Sequence, residues 1–225
     1  MLNYYGIIFK SIGIQQNIFT RVLCELDRQD IIDVKIMKYF GGINTGSIIA
    51  TLCAADFSLS EIEENIKWFY LQKEKTKINR LFSCFNHDKN DSFIKYSDFI
   101  NSVLYDKFEI QEMMFKDLYN KTKKHLKLVG FNLSNKSIFY MDHVNTPNML
   151  IADAVSISIC DPTNFKPFIY NNKNYVDASL FNHVPFDLFA KQSNFNILFI
   201  NILNTCTANG NIEENSLNNT INVIR

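Results

Sequence analysis

The spacing of apolar positions changes along the chain, and those changes mark out the elements. Tyr4–Phe9 is a short apolar, aromatic run, the pattern of a buried strand. From Ile14 the spacing becomes helical, with Ile18, Val22 and Leu26 in one stripe beside Phe19 and Leu23. Val34–Phe40 is β-branched and aromatic with partial alternation, which predicts a second strand. Thr45–Ala55 predicts a helix whose small residues suit close packing on a sheet. Ser58 and Glu61 form a capping-box pair ahead of the helical face Ile62, Ile66, Phe69 and Tyr70. Leu71–Lys89 is charged and irregular and reads as a surface connection. Further helices are expected around Phe93–Leu104, Gln111–Lys121 and Asn148–Ser158, the last ending before Pro162. Further strands are expected at Leu126–Leu133, Ser137–Met141, Tyr175–Val176 and Asn196–Leu203. Strand, helix, strand, tight turn, helix is the order of an α/β fold on a mostly parallel sheet. Residues 1–203 are expected to form one domain, and 204–225 a polar tail with a weak helix at most.

Composition narrows the function classes. The chain has 225 residues, 47% of them apolar, enough for one sizeable core. Twenty-three basic residues balance 23 acidic ones, so no long-range field draws a polyanion, and nucleic acid is not an expected partner. The five cysteines (Cys24, Cys53, Cys84, Cys160, Cys206) are odd in number and form no CxxC pair, the usage of reduced thiols inside a cell. The N-terminal apolar run reaches Lys10 too soon for a leader, and no run approaches the ~20 residues of a membrane span. The expected setting is therefore intracellular and cytoplasmic, with contact to a membrane surface left open. His87, His125, His143 and His183 are scattered, and Asp88–Asp91 lacks the glycine and glutamate of a calcium loop. Neither a metal nor a cofactor is expected.

Two clusters stand out. Only seven glycines occur, and Gly41, Gly42 and Gly46 fall within six residues; all four prolines lie between Pro147 and Pro185. The glycine run joins a predicted strand to a predicted helix, the setting of a G-x-S-x-G nucleophile elbow. Here the five residues are Gly42-Ile43-Asn44-Thr45-Gly46, with asparagine at the centre. A carboxamide cannot be deprotonated to attack a carbonyl, yet asparagine tolerates the positive φ of such a turn. Taken alone, the run reads more readily as an ordinary Gly-rich strand-to-helix loop, since short motifs match by chance.

Read with the second cluster, the chain resembles the patatin-like phospholipase family. Phe115-Lys116-Asp117-Leu118-Tyr119 with Leu126–Leu133 is similar to the family's "FKxLYxxTGKxLxIxxTNL" stretch. Asn145-Thr146-Pro147-Asn148-Met149 with Ala152-Asp153-Ala154 resembles "NTPxM…ADA", and Pro162–Pro167 resembles P-x-x-F-x-P. Tyr175–Leu180, with Asn182 and Pro185, is similar to "YVDGGLxxNxP". Gly41–Ala50 with Phe57–Ile62 resembles "GTSAGSIIA…GYSxEEI". The blocks keep the family's order across residues 4–203.

The resemblance implies a three-layer α/β/α sandwich and a serine–aspartate dyad that cleaves lipid acyl esters. On that pattern Asp177 falls at the dyad aspartate and Asn44 at the serine, between the elbow glycines Gly42 and Gly46. The oxyanion loop "GGGxKG" aligns with Gly6-Ile7-Ile8-Phe9-Lys10-Ser11, where only Gly6 and Lys10 match, so Ile7 and Ile8 would fill the space of the substrate oxygen. Ser11, Ser47, Thr45 and Ser179 are the nearby hydroxyls, none with an evident base. Asp177 is expected either to cap a loop or to accept a hydrogen bond from the Asn44 amide. The expected function is thus a lipid-binding or partner-binding relative that has lost its hydrolase chemistry, with lipid acyl chains, a membrane surface, a protein partner or an oligomer as candidate partners. The alternative is a working lipid acyl hydrolase with an atypical nucleophile.

Overall fold

A computed structural model describes residues 4–11, 16–82, 91–163, 165–181, 188–189, 196–202 and 221–224. Cys84, His87, Asn182, His183, Pro185 and Cys206 lie outside them, as does the end of the 71–89 connection. The strands are β1 (Tyr4–Ser11), β2 (Tyr39–Ile43), β3 (His125–Asn132), β4 (Ser137–Asp142), β5 (Phe168–Tyr170), β6 (Lys173–Asp177), β7 (Asn196–Ile202) and β8 (Ile221–Ile224). The helices are α1 (Gln16–Arg28), α2 (Gly46–Ala54), α3 (Leu59–Phe82), α4 (Asp91–Phe108), α5 (Phe115–Thr122) and α6 (Ile151–Ile159).

The sheet runs β5-β6-β3-β2-β1-β7-β8, with β4 on the other edge of β3. Its centre is parallel, β3 to β2 to β1 to β7, and its wings are antiparallel. This is an α/β fold. Residues of all six helices feed one large core against one sheet face, where Ile7, Phe9, Phe40, Leu126, Leu128, Leu198 and Ile200 point. On the other face a smaller cluster gathers Ile8, Ile43, Val129 and Phe199 beneath Ala178, Leu188 and Phe189. Strands covered on both faces read as continuous apolar runs, which is why β1 and β7 show little alternation.

Several boundaries differ from the sequence reading for identifiable reasons. Val34 and Met37 are buried by packing from a turn rather than by pairing, so β2 begins only at Tyr39. α5 begins at Phe115 because the Asp117 carboxylate accepts from the Met114 N–H (3.1 Å), which stops the helix there. Residues 147–150 form a turn that bridges Leu150 to Met114, delaying α6 to Ile151. α3 continues through Phe82, well into the stretch read as irregular. The described residues of the tail, Ile221–Ile224, form a strand, β8, that pairs with β7. The α3 capping box is present: Glu61 accepts from the Ser58 N–H (2.6 Å) and Ser58 Oγ accepts from the Glu61 N–H (3.3 Å).

Candidate active site: an elbow facing a carboxylate

One strand assembles the site. β3 offers one edge to β4, so β2 and β6 must share the other. β2 takes the lower part, ending with Ile43 opposite Val129; β6 takes the upper part, ending with Asp177 opposite Gly130. Successive residues of β3 thus bring the ends of two strands together head to head. Asn44, the residue after Ile43, turns out of the sheet directly beside Asp177.

The turn is tight because glycine permits it. A Cβ on Gly42 would collide with the Ser47 backbone, and one on Gly46 with the Phe9 carbonyl of β1. Asn44 sits at the tip with φ 53°. Among L-residues asparagine is one of few that enters this region at low cost. Ser47 Oγ donates to the Asn44 carbonyl (2.6 Å), tying the tip to the first turn of α2.

Both ends of the Asn44 carboxamide are hydrogen-bonded. Its Nδ2 donates to Asp177 Oδ2 at 2.6 Å, and its Oδ1 accepts from the Thr45 N–H at 2.6 Å. In a nucleophile elbow the N–H after the tip residue is an oxyanion donor. Here the tip's own side chain occupies it. Ser179 donates its N–H to Asp177 Oδ1 (2.9 Å), and its hydroxyl is hydrogen-bonded to Asp177 Oδ2. Burial pushes the Asp177 carboxyl above its usual range; the Ser179 and Asn44 hydrogen bonds oppose that, and the Asp161 charge adds to it. The short helix Ala178–Phe181 starts from this carboxylate. Ser11 Oγ and Thr45 Oγ1 are hydrogen-bonded to each other beside the tip.

The oxyanion-loop alignment is corrected by the fold. Gly6, Ile7 and Ile8 are mid-strand in β1, paired with Tyr39, Phe40 and Gly41 on one side and Ile197, Leu198 and Phe199 on the other. Tyr39 lies five residues before Asn44, so Gly6 is roughly 16 Å of strand away from the tip. Ile7 and Ile8 are core side chains and block nothing at the site. What approaches the tip is the end of β1: Lys10 opposite Ile43, then Ser11. The Lys10 side chain is buried; burial pushes its ammonium below the usual range and the Asp177 charge pulls it back.

Other candidates carry little chemistry. Burial pushes the Cys53 and Cys160 thiols up to about 12, far from a reactive thiolate. Among the described residues no three of His, Cys, Asp or Glu gather as a metal site. A cleft of about 450 Å³ lined by Asp27, Asp33, Asp56 and Lys124 opens at the opposite end of the sheet, before β2 and β3 begin. It shares no residue with the elbow. No described helix is long and apolar enough to cross a membrane.

A glycine-flanked elbow at the end of a parallel strand, facing an aspartate, belongs to the class of acyl hydrolase scaffolds. The family model for patatin-like phospholipase matches residues 18–190, and the chain belongs to that family. A protein of Invertebrate iridescent virus 6 named "Probable lipid hydrolase 463L" is 26% identical over 197 residues, covering 85% of this chain and 65% of that one. The protein R571 of Acanthamoeba polyphaga mimivirus is 26% identical over 199 residues, 83% of this chain and 58% of its own length. The chain therefore spans less than two thirds of these relatives. Among solved structures, VipD from Legionella pneumophila superposes with a TM-score of 0.61 at 13% identity, over 89% of this chain and 50% of VipD. ExoU of Pseudomonas aeruginosa, solved in complex with SpcU, does so with 0.52 at 12% identity, over 72% of this chain and 39% of that one. Both likenesses concern the fold.

Proposed function

We propose that this chain binds lipid acyl groups at the patatin-like elbow without hydrolysing them by the family's serine route. The observation that carries this is the Asn44–Asp177 hydrogen bond of 2.6 Å, made from a tip residue at φ 53°. The elbow geometry persists while the attacking atom is gone. An amide nitrogen shares its lone pair with the carbonyl, so Asp177 has no proton to remove that would create a nucleophile. Loss of a catalytic serine costs about 10⁶ in turnover in serine hydrolases, enough to bring an acyl hydrolase near background. The Asn44 carbonyl also fills the Thr45 N–H, so the oxyanion donor and the nucleophile are lost to one residue.

A second reading rests on Ser179, whose hydroxyl is bonded to Asp177 Oδ2. Against it, the same serine donates its N–H to Asp177 Oδ1, the two-point grip of a carboxylate capping a short helix, and its hydroxyl is locked in that cap. The test is organic extraction of the purified full chain followed by lipid mass spectrometry, with an ester-hydrolysis assay on the same sample. Bound acyl lipid without turnover supports the binding role. Turnover above a heat-killed control, abolished by Ser179→Ala, supports the hydrolase. Neither lipid nor turnover contradicts both.

A further inference from the structure

The end of β1 carries a polar side chain that the Asn44–Asp177 contact does not use. Along β1, Ile7 and Phe9 join the large core and Ile8 the smaller cluster on the second face, so Lys10 falls on the face of Ile8. Along β7, Leu198, Ile200 and Ile202 join the large core and Phe199 the smaller cluster, so Asn201 falls on the same second face. Lys10 and Asn201 are register partners on these two parallel strands. They stand side by side, about 4.8 Å apart across the sheet. On its other flank Lys10 is opposite Ile43, the residue before the Asn44 tip.

Both side chains lack the partners that their burial calls for. Lys10 is only 5% exposed, and among the described residues its Nζ makes no hydrogen bond or ion pair. Asn201 Oδ1 is buried and accepts no hydrogen bond, from Lys10 or from any other group. Buried polar groups are nearly always paired in folded proteins, and each exception calls for a reason. Here an unmet donor lies beside an unmet acceptor. A hydroxyl answers both at once, accepting from the Lys10 Nζ and donating to Asn201 Oδ1. A carboxylate or phosphate would answer Lys10 alone. Its oxygens would face the Asn201 oxygen, and its charge would lie near Asp177, whose field already reaches Lys10. Asn201 is half-buried, which leaves the pair an open side.

We infer that Lys10 and Asn201 form a subsite for a free hydroxyl on the alcohol portion of an acyl lipid, the chemistry of a partially acylated polyol such as a monoacylglycerol. This rests on the acyl-lipid role proposed above and names the lipids that suit it. Because Lys10 is opposite the residue before the tip, the hydroxyl is a near neighbour of an ester held at the elbow, as it is on glycerol.

The test is calorimetric titration of the full chain with three probes. These are monooctanoylglycerol, propyl octanoate (the same ester stripped of its hydroxyls) and octanoate. The wild type is expected to bind monooctanoylglycerol about tenfold more tightly than propyl octanoate, the scale of satisfying a buried donor and acceptor. Lys10→Met and Asn201→Leu should each bring the two affinities within about twofold of one another. Both variants should melt at or above the wild-type temperature, because each replaces an unpaired polar group with an apolar one of similar size. A lower melting temperature would give the side chain a structural partner and overturn the subsite. Equal wild-type affinity for the two esters also overturns it and leaves the acyl-lipid role standing, as does a preference that survives either substitution. Octanoate as the tightest ligand, lost in both variants, would make the pair a carboxylate site and overturn the hydroxyl. Failure of the wild type to bind any of the three overturns both proposals.

Discussion

Asn44 and Asp177, 133 residues apart in sequence, are joined side chain to side chain because Val129 and Gly130 are neighbours on β3. Asn44 follows the last residue of β2 and Asp177 ends β6, and neither strand could extend further along β3 without colliding with the other. Gly130 completes the arrangement, since a Cβ there would strike Ile157 of α6. The contact is therefore a property of sheet register, and it persists whether or not residue 44 can react.

Removing the carboxylate should cost stability. Asp177 accepts from the Asn44 amide and from both donors of Ser179 in a buried setting. Asp177→Ala orphans those three donors and should destabilise by at least about 3 kcal/mol, since each buried group left unsatisfied costs about 1–3 kcal/mol. Asp177→Asn keeps one acceptor oxygen and should lose less. Urea unfolding of the two variants checks the order; equal losses would mean that the hydrogen bonds matter less than the packing.

The tip has a backbone requirement of its own. At φ 53° alanine pays about 1–2 kcal/mol, and it also forfeits the Asn44 hydrogen bonds. Asn44→Gly escapes the backbone strain and should therefore melt higher than Asn44→Ala. The reverse order in thermal melts would argue against a strained turn.

The elbow glycines should resist substitution. Gly42→Ala and Gly46→Ala each press a methyl group into backbone, that of Ser47 and that of Phe9. A loss of about 1–3 kcal/mol is expected for each, the scale of overpacking a tight core. Wild-type stability in either variant would show that α2 shifts freely on the sheet.

At the other end of the sheet two imidazoles predict an acid response. His125 stacks on Tyr39 (4.6 Å), His143 stacks on Tyr119 (3.9 Å), and the two rings lie 4.9 Å apart. Burial lowers both from the usual histidine range; for His125 the neighbouring His143 and Lys127 add to this and Asp142 opposes. For His143 the Asp142 charge opposes and Lys127 adds. A histidine lowered on folding takes its proton more readily when unfolded, so stability is complete above about pH 6.5 and falls as pH drops through the folded values. Melting temperature should decline from pH 7.5 to pH 5, and His125→Gln with His143→Gln should flatten that decline. An unchanged slope in the double variant would mean other groups set it.

How much of this was legible varies by residue. The small-residue run Gly46, Ser47, Ala50 and Ala54 announced a helix pressed on a sheet, and the Gly42–Gly46 spacing announced its tight entry. The alignment of Gly6–Ser11 with an oxyanion loop failed because two matching residues carry less information than the burial pattern around them: Ile7 and Phe9 fill one face while Ile8 fills the other, which only a doubly covered strand does. The role of β3 as the template for two strand ends left no local trace, since it depends on which edge β4 takes. The engagement of Thr45 N–H by Asn44 was equally invisible, because it depends on the rotamer of one side chain.

The most direct measurement is fluorophosphonate labelling of the wild type and Asn44→Ser, with the modified residue mapped by mass spectrometry. Asn44→Ser restores a hydroxyl facing Asp177 and frees the Thr45 N–H, and Ile7 and Ile8 lie too deep in β1 to interfere. No labelled serine is expected in the wild type and a label on residue 44 in the variant, with ester turnover at least about tenfold above wild type. A label on any wild-type serine, Ser179 above all, would contradict that expectation.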